Sequence, residues 1–197
     1  MKRIIRAVVM ALLLAPGMLW ADDFDAGYEA TEAGDYEKAY EIWLPLAELG
    51  DHAAQFNLGL MYRRGLGVSQ DYAKAVLWYR LAAVQGNAKA QTNLGALYEK
   101  GQGVAQDYAE AVRWYRLAAE QGTAKGQNSL GVMYANGEGV IQDYSMAHMW
   151  FNIAARNGDS DAVRNRDLAA SRMTPEAIAA AQSRARICIE SDYQDCD

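Results

Sequence analysis

Hydrophobic positions follow two alternating helical patterns along most of the chain. Between residues 54 and 64, Leu58 and Tyr62 are four residues apart and therefore share one helix face. Between residues 72 and 84, apolar residues follow the spacing i, i+3, i+4, i+7, at Ala75, Trp78, Tyr79 and Ala82. Both spacings are typical of amphipathic helices, so the sequence predicts a pair of helices here.

Residues that begin and end helices flank these two patterns. Asp71 precedes the second pattern, where its side chain can accept from the free amide groups of a first helical turn. Gly65 follows the first pattern, and glycine adopts the left-handed C-cap conformation without a steric clash. A further set of predicted N-caps follows the glycine at the end of each unit: Asp51, Asn87, Thr123 and Asp159.

The helix pair is repeated with a period of 36 residues, as units 54–89, 90–125 and 126–161. A fixed period of this length predicts an all-α solenoid of stacked antiparallel helix pairs. Two of the repeating columns concern packing: Gly59, Gly95, Gly131, and Trp78, Trp114, Trp150. We expect the glycines to admit an aromatic side chain of the neighbouring helix, and the tryptophans to lie in the core.

Shorter segments flank the three full units. Residues 22–53 keep the end of the pattern but have an inter-helix loop shorter by four residues, which predicts an N-terminal cap repeat. Residues 162–197 predict C-terminal capping helices followed by an acidic tail, with Thr174 as the N-cap of the last helix and Pro175 at its first position. Total length favours one repeat domain, without a Pro- or Ser-rich linker.

Read from Ala54 to Gly86, the unit has the pattern A-x-x-x-L-G-x-x-Y-x-x-G-x-G-V-x-x-D-Y-x-x-A-x-x-W-Y-x-x-A-A-x-x-G. It resembles the Sel1-like repeat, a relative of the tetratricopeptide repeat. The resemblance implies a right-handed superhelix that serves as a protein–protein interaction scaffold, usually without catalytic activity. It also implies that the first helix of each pair lines a concave groove that binds a protein or peptide.

The groove residues implied by this resemblance are the variable positions of the first helices, because contact positions need not repeat. They are Phe56, Asn57, Leu60, Arg63, Arg64, Asn93, Glu99, Lys100, Asn128 and Asn136. Asn57 and Asn93 either clamp a peptide backbone or bond to an adjacent turn, and both interpretations stay open. Arg63, Arg64 and Lys100 indicate an acidic peptide or terminal carboxylate, with solvated side chains as the alternative.

The first 21 residues read as a secretory signal peptide, with Lys2, Arg3 and Arg6 before an apolar run and Ala21 at the cleavage site. We therefore expect export to the periplasm, with secretion as the second choice, and no stable membrane insertion after cleavage. The chain has 19 basic and 25 acidic residues, a net charge of −6, which argues against a nucleic-acid partner. A monomer is expected, with an assembly subunit as the alternative.

Candidate chemistry is sparse. Cys188 and Cys196 predict a disulfide in an oxidising compartment, with free thiols or a metal or redox role as alternatives. No nucleophile–base motif, phosphate-binding loop or metal-ligand spacing is present, so we expect no catalytic residues, metal or cofactor. The functional alternative is a β-lactamase-like or glycan-acting envelope enzyme of the cysteine-rich Sel1 type, whose cysteines staple each repeat.

Overall fold

The computed structural model describes residues 16–196, with side chains from residue 24 onward, and all regular structure in this range is α-helical. The ten helices are α1 (Pro16–Glu32), α2 (Tyr36–Glu48), α3 (His52–Arg64), α4 (Tyr72–Val84), α5 (Ala88–Lys100), α6 (Tyr108–Glu120), α7 (Ala124–Asn136), α8 (Tyr144–Arg156), α9 (Ser160–Ala170) and α10 (Pro175–Glu190). The predicted all-α solenoid is confirmed. The predicted signal peptide lies mostly outside the described residues, and α1 begins within it.

Successive helices pack against one another in chain order from α1 to α9. The first helices of neighbouring pairs also contact each other, α3 with α5, α5 with α7 and α7 with α9. First helices therefore line the inner, concave face of the solenoid, and second helices form its outer, convex face. This arrangement places α3, α5 and α7 side by side on the concave face.

Mid-helix glycines allow the two helices of each pair to pack closely, as the sequence predicts. A Cβ atom at Gly59 would lie 2.5 Å from the ring of Tyr79, and one at Gly95 would lie 2.8 Å from the ring of Tyr115. At Gly131 the ring is that of Phe151. The aromatic side chain thus occupies the space that a methyl group would need, which explains why glycine recurs despite its cost of about 1 kcal/mol in a helix.

The tryptophan column lies in the core as predicted, although unevenly. Trp114 is 3% exposed and Trp150 is fully buried, and both belong to one core that extends from α3 to the chain's C-terminal loop. Trp78 is only partly buried, where it packs against both this core and the smaller core formed around α2 and α3.

Capping follows the prediction at most helix starts. Asp51, Asn87 and Asp159 each accept a hydrogen bond from a first-turn amide of the helix that they precede. Thr123 makes no side-chain cap bond at the start of α7, so the prediction is wrong at this position. The first turn of α7 is therefore left without a side-chain cap on the concave side of the solenoid.

A ladder of buried glutamines joins the repeats. Gln55, Gln91 and Gln127 each donate from Nε2 to the carbonyl oxygen eight residues earlier, over 3.0–3.1 Å. Each also accepts at Oε1 from an amide thirty residues later, which belongs to Gln85, Gln121 and Asn157 respectively. Because both ends of each amide are used, the ladder fixes how one pair stacks on the next.

Replacing Gln91 with methionine keeps the side-chain volume but removes both hydrogen bonds. We expect the free energy of unfolding to fall by about 1–3 kcal/mol, because two hydrogen bonds are lost: the one to the buried Ala83 carbonyl, which keeps only the Gly86 amide as a donor, and the one from the Gln121 amide. Urea unfolding followed by circular dichroism measures the change. A matched control is Gln102→Met, on the loop after α5; a similar loss in this control would show that the ladder has no special role.

The C-terminal helices depart from the regular pairing. α9 and α10 both pack against α8, one on each side, rather than forming a tight pair with each other. Ala185 and Cys188 of α10 extend the main core. The chain therefore ends by covering the last repeat on two sides, which suits the capping role predicted for residues 162–197.

The segment after α10 is folded back rather than extended. Cys188 and Cys196 form the predicted disulfide, and Tyr193 packs against the turn at Gly122 while its hydroxyl accepts a hydrogen bond from Asn157 over 2.9 Å. The disulfide and the Tyr193 ring thus attach this segment to the solenoid, while the acidic side chains of Asp192 and Asp195 are exposed.

Removal of this disulfide by Cys188→Ala and Cys196→Ala should lower the free energy of unfolding by less than about 3 kcal/mol, since the loop that it closes is short. The effect should be confined to α10 and the C-terminal loop. Hydrogen exchange of reduced and oxidised protein checks this, and faster exchange in α3 or α4 on reduction would contradict it.

Candidate functional site

A concave pocket of about 270 Å³ lies where the second half of α3 faces the first half of α5 and the start of α7. Five of the predicted groove residues line it: Phe56, Leu60, Arg63, Arg64 and Asn93. The remaining lining residues are Lys89, Thr92, Thr123 and Lys125. We call this pocket the basic groove.

The charges around the basic groove all have one sign. Arg63, Arg64, Lys89 and Lys125 carry four cations, and no acidic side chain lines the pocket. Phe56 and Leu60 supply an apolar surface between them, and the Phe56 ring packs on Tyr79, with centroids 5.9 Å apart. On a chain whose net charge is −6, this local reversal of sign is suited to an anionic ligand that also has apolar parts.

Below the groove, Tyr79 is fully buried and its hydroxyl has no hydrogen-bond partner within the described residues. Burial raises the pKa of Tyr79 to about 12, against the opposing charge of the nearby Arg63. Arg63 also has a buried Nε without a partner. Both groups lack a hydrogen bond of good geometry, but Arg63 interacts with the Tyr79 hydroxyl and lowers its pKa, so the two side chains act on each other beside the groove.

In the next unit, the equivalent tyrosine, Tyr115, has a hydrogen-bond partner for its hydroxyl. Tyr115 donates from its hydroxyl to Oε2 of Glu99 over 2.5 Å. Burial and this hydrogen bond to Glu99 both raise the pKa of Tyr115 well above its ordinary value. Glu99, predicted as a groove residue, is thus engaged within its own repeat.

A second cavity of about 200 Å³ adjoins the basic groove and shares Leu60 and Arg64 with it. It lies between α1, α2 and α3, and its lining is largely aromatic and apolar: Tyr28, Tyr36, Trp43, Met61 and Leu66. We call it the aromatic cavity. Asn57 also lines it, is only 4% exposed, and has no hydrogen-bond partner for its Nδ2 amide within the described residues.

The two predicted asparagines therefore lie in different surroundings. Asn93 lines the basic groove, but its Nδ2 donates to the Lys89 carbonyl of its own helix over 2.8 Å. This bond matches the structural interpretation of the asparagine column. The Asn57 amide, by contrast, is buried and has no hydrogen-bond partner among the described residues.

The other predicted groove residues lie apart from the basic groove. Lys100 is exposed at the end of α5. Asn128 accepts a hydrogen bond from Asn165 of α9, and Asn136 lines a separate cavity of about 350 Å³ between α7 and α9. The structure thus brings together residues of α3 with Asn93, and it does not bring all ten predicted residues to one place.

Lys89, Thr123 and Lys125 are the groove residues that sequence reasoning missed. Alignment of the repeats compares equivalent positions only. It does not show that residues near the starts of α5 and α7 lie close to the end of α3. In the solenoid, the start of one first helix lies beside the second half of the preceding one. The available signal was charge, because Lys89 and Lys125 occupy the same position in two successive units.

Other surfaces of the described residues have fewer features of a binding site. Leu77, Leu81 and Val84 form an exposed apolar stripe on the convex side of α4. Residues 24–196 contain no group of three or more histidine, cysteine or acidic side chains placed to hold a metal ion. Within the described helices, none is both long and apolar enough to cross a membrane.

Similarity to known proteins supports the repeat assignment. The Sel1 repeat family model matches residues 26–51, 52–87, 88–123 and 124–159. The last three matches keep the 36-residue period and begin two residues before the predicted boundaries, whereas the first is shorter. No curated protein matches the chain. The Sel1 repeat protein from Oxalobacter formigenes is 40% identical in sequence, with a TM-score of 0.69 over 73% of this chain.

Two further solved structures are similar. The protective antigen c5321 of uropathogenic Escherichia coli, which has an SLR fold, is 42% identical with a TM-score of 0.70 over 73% of this chain. Cysteine-rich protein B of Helicobacter pylori is 25% identical with a TM-score of 0.52 over 66% of this chain and 92% of its own. This chain covers only 59% of the Oxalobacter protein and 32% of c5321. Since four consecutive repeats match over most of its length, the chain belongs to the Sel1 repeat family.

Proposed function

We propose that this protein is a non-catalytic scaffold of the bacterial cell envelope, which holds a segment of a partner protein in the basic groove. Sel1 repeat proteins are typically protein-interaction scaffolds. The observation that carries the proposal is the groove itself, in which four cations and the apolar side chains of Phe56 and Leu60 line one concave pocket. A concave, mixed apolar and charged surface suits an extended polypeptide.

Location in the envelope is supported by two separate features. The predicted signal peptide directs export, and the disulfide between Cys188 and Cys196 is stable in an oxidising compartment. The similarity to a cysteine-rich protein of Helicobacter pylori fits the same environment. The enzyme alternative gains no support from the contacts of the described residues, and the two cysteines both lie in the C-terminal segment rather than in the repeats.

The proposal predicts that a groove substitution separates binding from folding. Leu60→Glu places an anion among the four cations of the basic groove, whereas Leu81→Glu makes the same change on the convex stripe of α4. After chemical crosslinking in intact cells, we expect the partners captured by wild type to be lost with Leu60→Glu and kept with Leu81→Glu. Equal thermal stability of the two variants is the control, and the reverse pattern would overturn groove binding.

A further inference from the structure

We infer that the segment held by the basic groove is acidic, and that it carries an apolar side chain next to its acidic run. This inference rests on the proposed function and gives the partner its chemistry. Side-chain carboxylates of the segment would pair with the cations of the groove, its apolar side chain would enter the aromatic cavity, and the Asn57 amide would donate to one of its main-chain carbonyls.

The first step concerns the cations. Arg63, Arg64, Lys89 and Lys125 form no ion pair within the described residues, whereas cations such as Lys74 and Arg113 pair with an acid on their own helix or its cap. Three of these four side chains, Arg64, Lys89 and Lys125, are exposed. Four unpaired cations from three helices on a chain of net charge −6 favour a ligand with several carboxylates over one with a single terminal carboxylate.

The second step comes from comparing the repeats with one another. In the second full unit, the Glu99 carboxylate accepts from the buried Tyr115 hydroxyl. In the first full unit, the residue equivalent to Glu99 is Arg63, and the equivalent tyrosine, Tyr79, has no partner for its hydroxyl. The first unit thus has a cation where the second supplies its own carboxylate. A carboxylate of the partner beside Arg63 would supply the negative charge that Glu99 supplies in the second unit.

The third step concerns the aromatic cavity. It shares Leu60 and Arg64 with the basic groove, so one extended segment can occupy both. Tyr28, Tyr36 and Trp43 give the cavity an apolar lining, which suits a leucine-sized side chain in about 200 Å³. The Asn57 amide is buried and has no acceptor in the described chain, which is costly unless a ligand supplies one.

An acidic polypeptide fits these features better than an anionic membrane does. Asn57, whose amide has no partner in the described chain, lines a cavity rather than a flat surface, and a small shift of this buried side chain would bring the amide to the main chain of an extended segment.

Fluorescence anisotropy with synthetic peptides tests the inference on the purified full chain. The probe is a fluorescein-labelled peptide with a Leu-Glu-Glu-Asp-Glu core in a Gly/Ser frame, blocked at both ends, together with the reversed core for the opposite chain direction. We expect binding that weakens as salt rises. Equal affinity for the core with Gln and Asn in place of the acids would overturn the acidic partner, as would binding to phosphatidylglycerol vesicles but to neither peptide.

Charge reversal tests the groove as the binding place. The variant Arg64→Glu/Lys89→Glu/Lys125→Glu should bind the acidic peptide at least about tenfold more weakly than wild type. The matched control Lys38→Glu/Arg156→Glu/Arg186→Glu makes the same change in net charge at three exposed residues of second helices, and should stay within about twofold. Equal weakening in both variants would show a general charge effect and overturn the site.

Asn57→Leu tests whether the buried amide contacts the peptide. A binding role predicts a change in peptide affinity, whereas a structural role predicts a change in Tm. The leucine removes an unpartnered buried amide at similar volume, so we expect an unchanged or higher Tm together with about tenfold weaker peptide binding. A lower Tm with unchanged affinity would show that the amide is structural and would overturn its assignment.

The two proposals fail in different ways. If groove crosslinks form in cells but the purified chain shows no preference for acidic over amide peptides, the acidic partner is wrong and the scaffold function stands. If neither crosslinks nor peptide binding involve the groove, the proposed function itself is wrong.

Discussion

Trp114→Ala is expected to lower the free energy of unfolding by about 3–5 kcal/mol, the usual cost of truncating a buried aromatic side chain. Trp114 is 3% exposed and lies in the core between α5, α6 and their neighbours. Its indole Nε1 has no hydrogen-bond partner in the described residues, so the loss comes from packing and from the Arg113 guanidinium, which lies 4.8 Å from the ring centroid. Because each repeat contacts only its neighbours, the change should also uncouple the repeats on either side.

The same substitution at Trp78 is the matched control, since Trp78 holds the equivalent position one repeat earlier but is only partly buried. We expect its cost to be clearly smaller. Urea unfolding followed by circular dichroism measures both variants. A loss below about 1 kcal/mol for Trp114→Ala would show that this column does not form the core.

Gly103→Ala is the second change with a large expected effect, at about 3–5 kcal/mol. Gly103 lies in the loop between α5 and α6 with φ of +74°, a conformation that costs other residues about 1–2 kcal/mol. A Cβ atom here would also lie 2.3 Å from the backbone carbonyl carbon of Tyr72, at the start of α4. Backbone cannot move aside as a flexible side chain can, so the loop would have to lift from the preceding repeat.

Gly86→Ala separates the cost of the positive φ angle from the cost of the close contact with neighbouring backbone. Gly86 has φ of +90°, but a Cβ atom would meet no heavy atom within 4 Å. Only the conformational strain of about 1–2 kcal/mol should remain. Thermal unfolding of both variants gives the comparison. Equal losses for Gly86→Ala and Gly103→Ala would show that contact between the loop and α4 contributes nothing to the stacking of repeats.

The sequence predicts most of the fold because the residues that define the helix pair recur in each unit. A glycine that recurs at Gly59, Gly95 and Gly131 signals an aromatic ring nearby, and the structure places Tyr79, Tyr115 and Phe151 there. The glutamine ladder was equally visible as a column at Gln55, Gln91 and Gln127, although a polar column is less easily recognised as buried. The C-terminal loop was not readable, because the position of Tyr193 depends on contacts with Gly122 and Asn157 of earlier repeats.

The candidate site was only partly readable for a related reason. Variation between repeats predicted Phe56, Leu60 and Arg64 as groove residues, and the structure places all three in the lining of one pocket, where Phe56 also packs on Tyr79. It does not give the offset between neighbouring first helices, which brings Lys89 and Lys125 to the same pocket. Variation also does not show whether a side chain already has a hydrogen-bond partner within the chain, as Glu99 has in Tyr115.

Site-specific photocrosslinking in intact cells tests groove binding most directly. A photoreactive amino acid replaces Leu60 in the basic groove or Leu81 in the exposed apolar stripe of α4, which is the strongest competing surface among the described residues. Groove binding predicts a discrete crosslinked species at Leu60 and none at Leu81. A crosslink at Leu81 with none at Leu60 would contradict it and place the partner on the convex face.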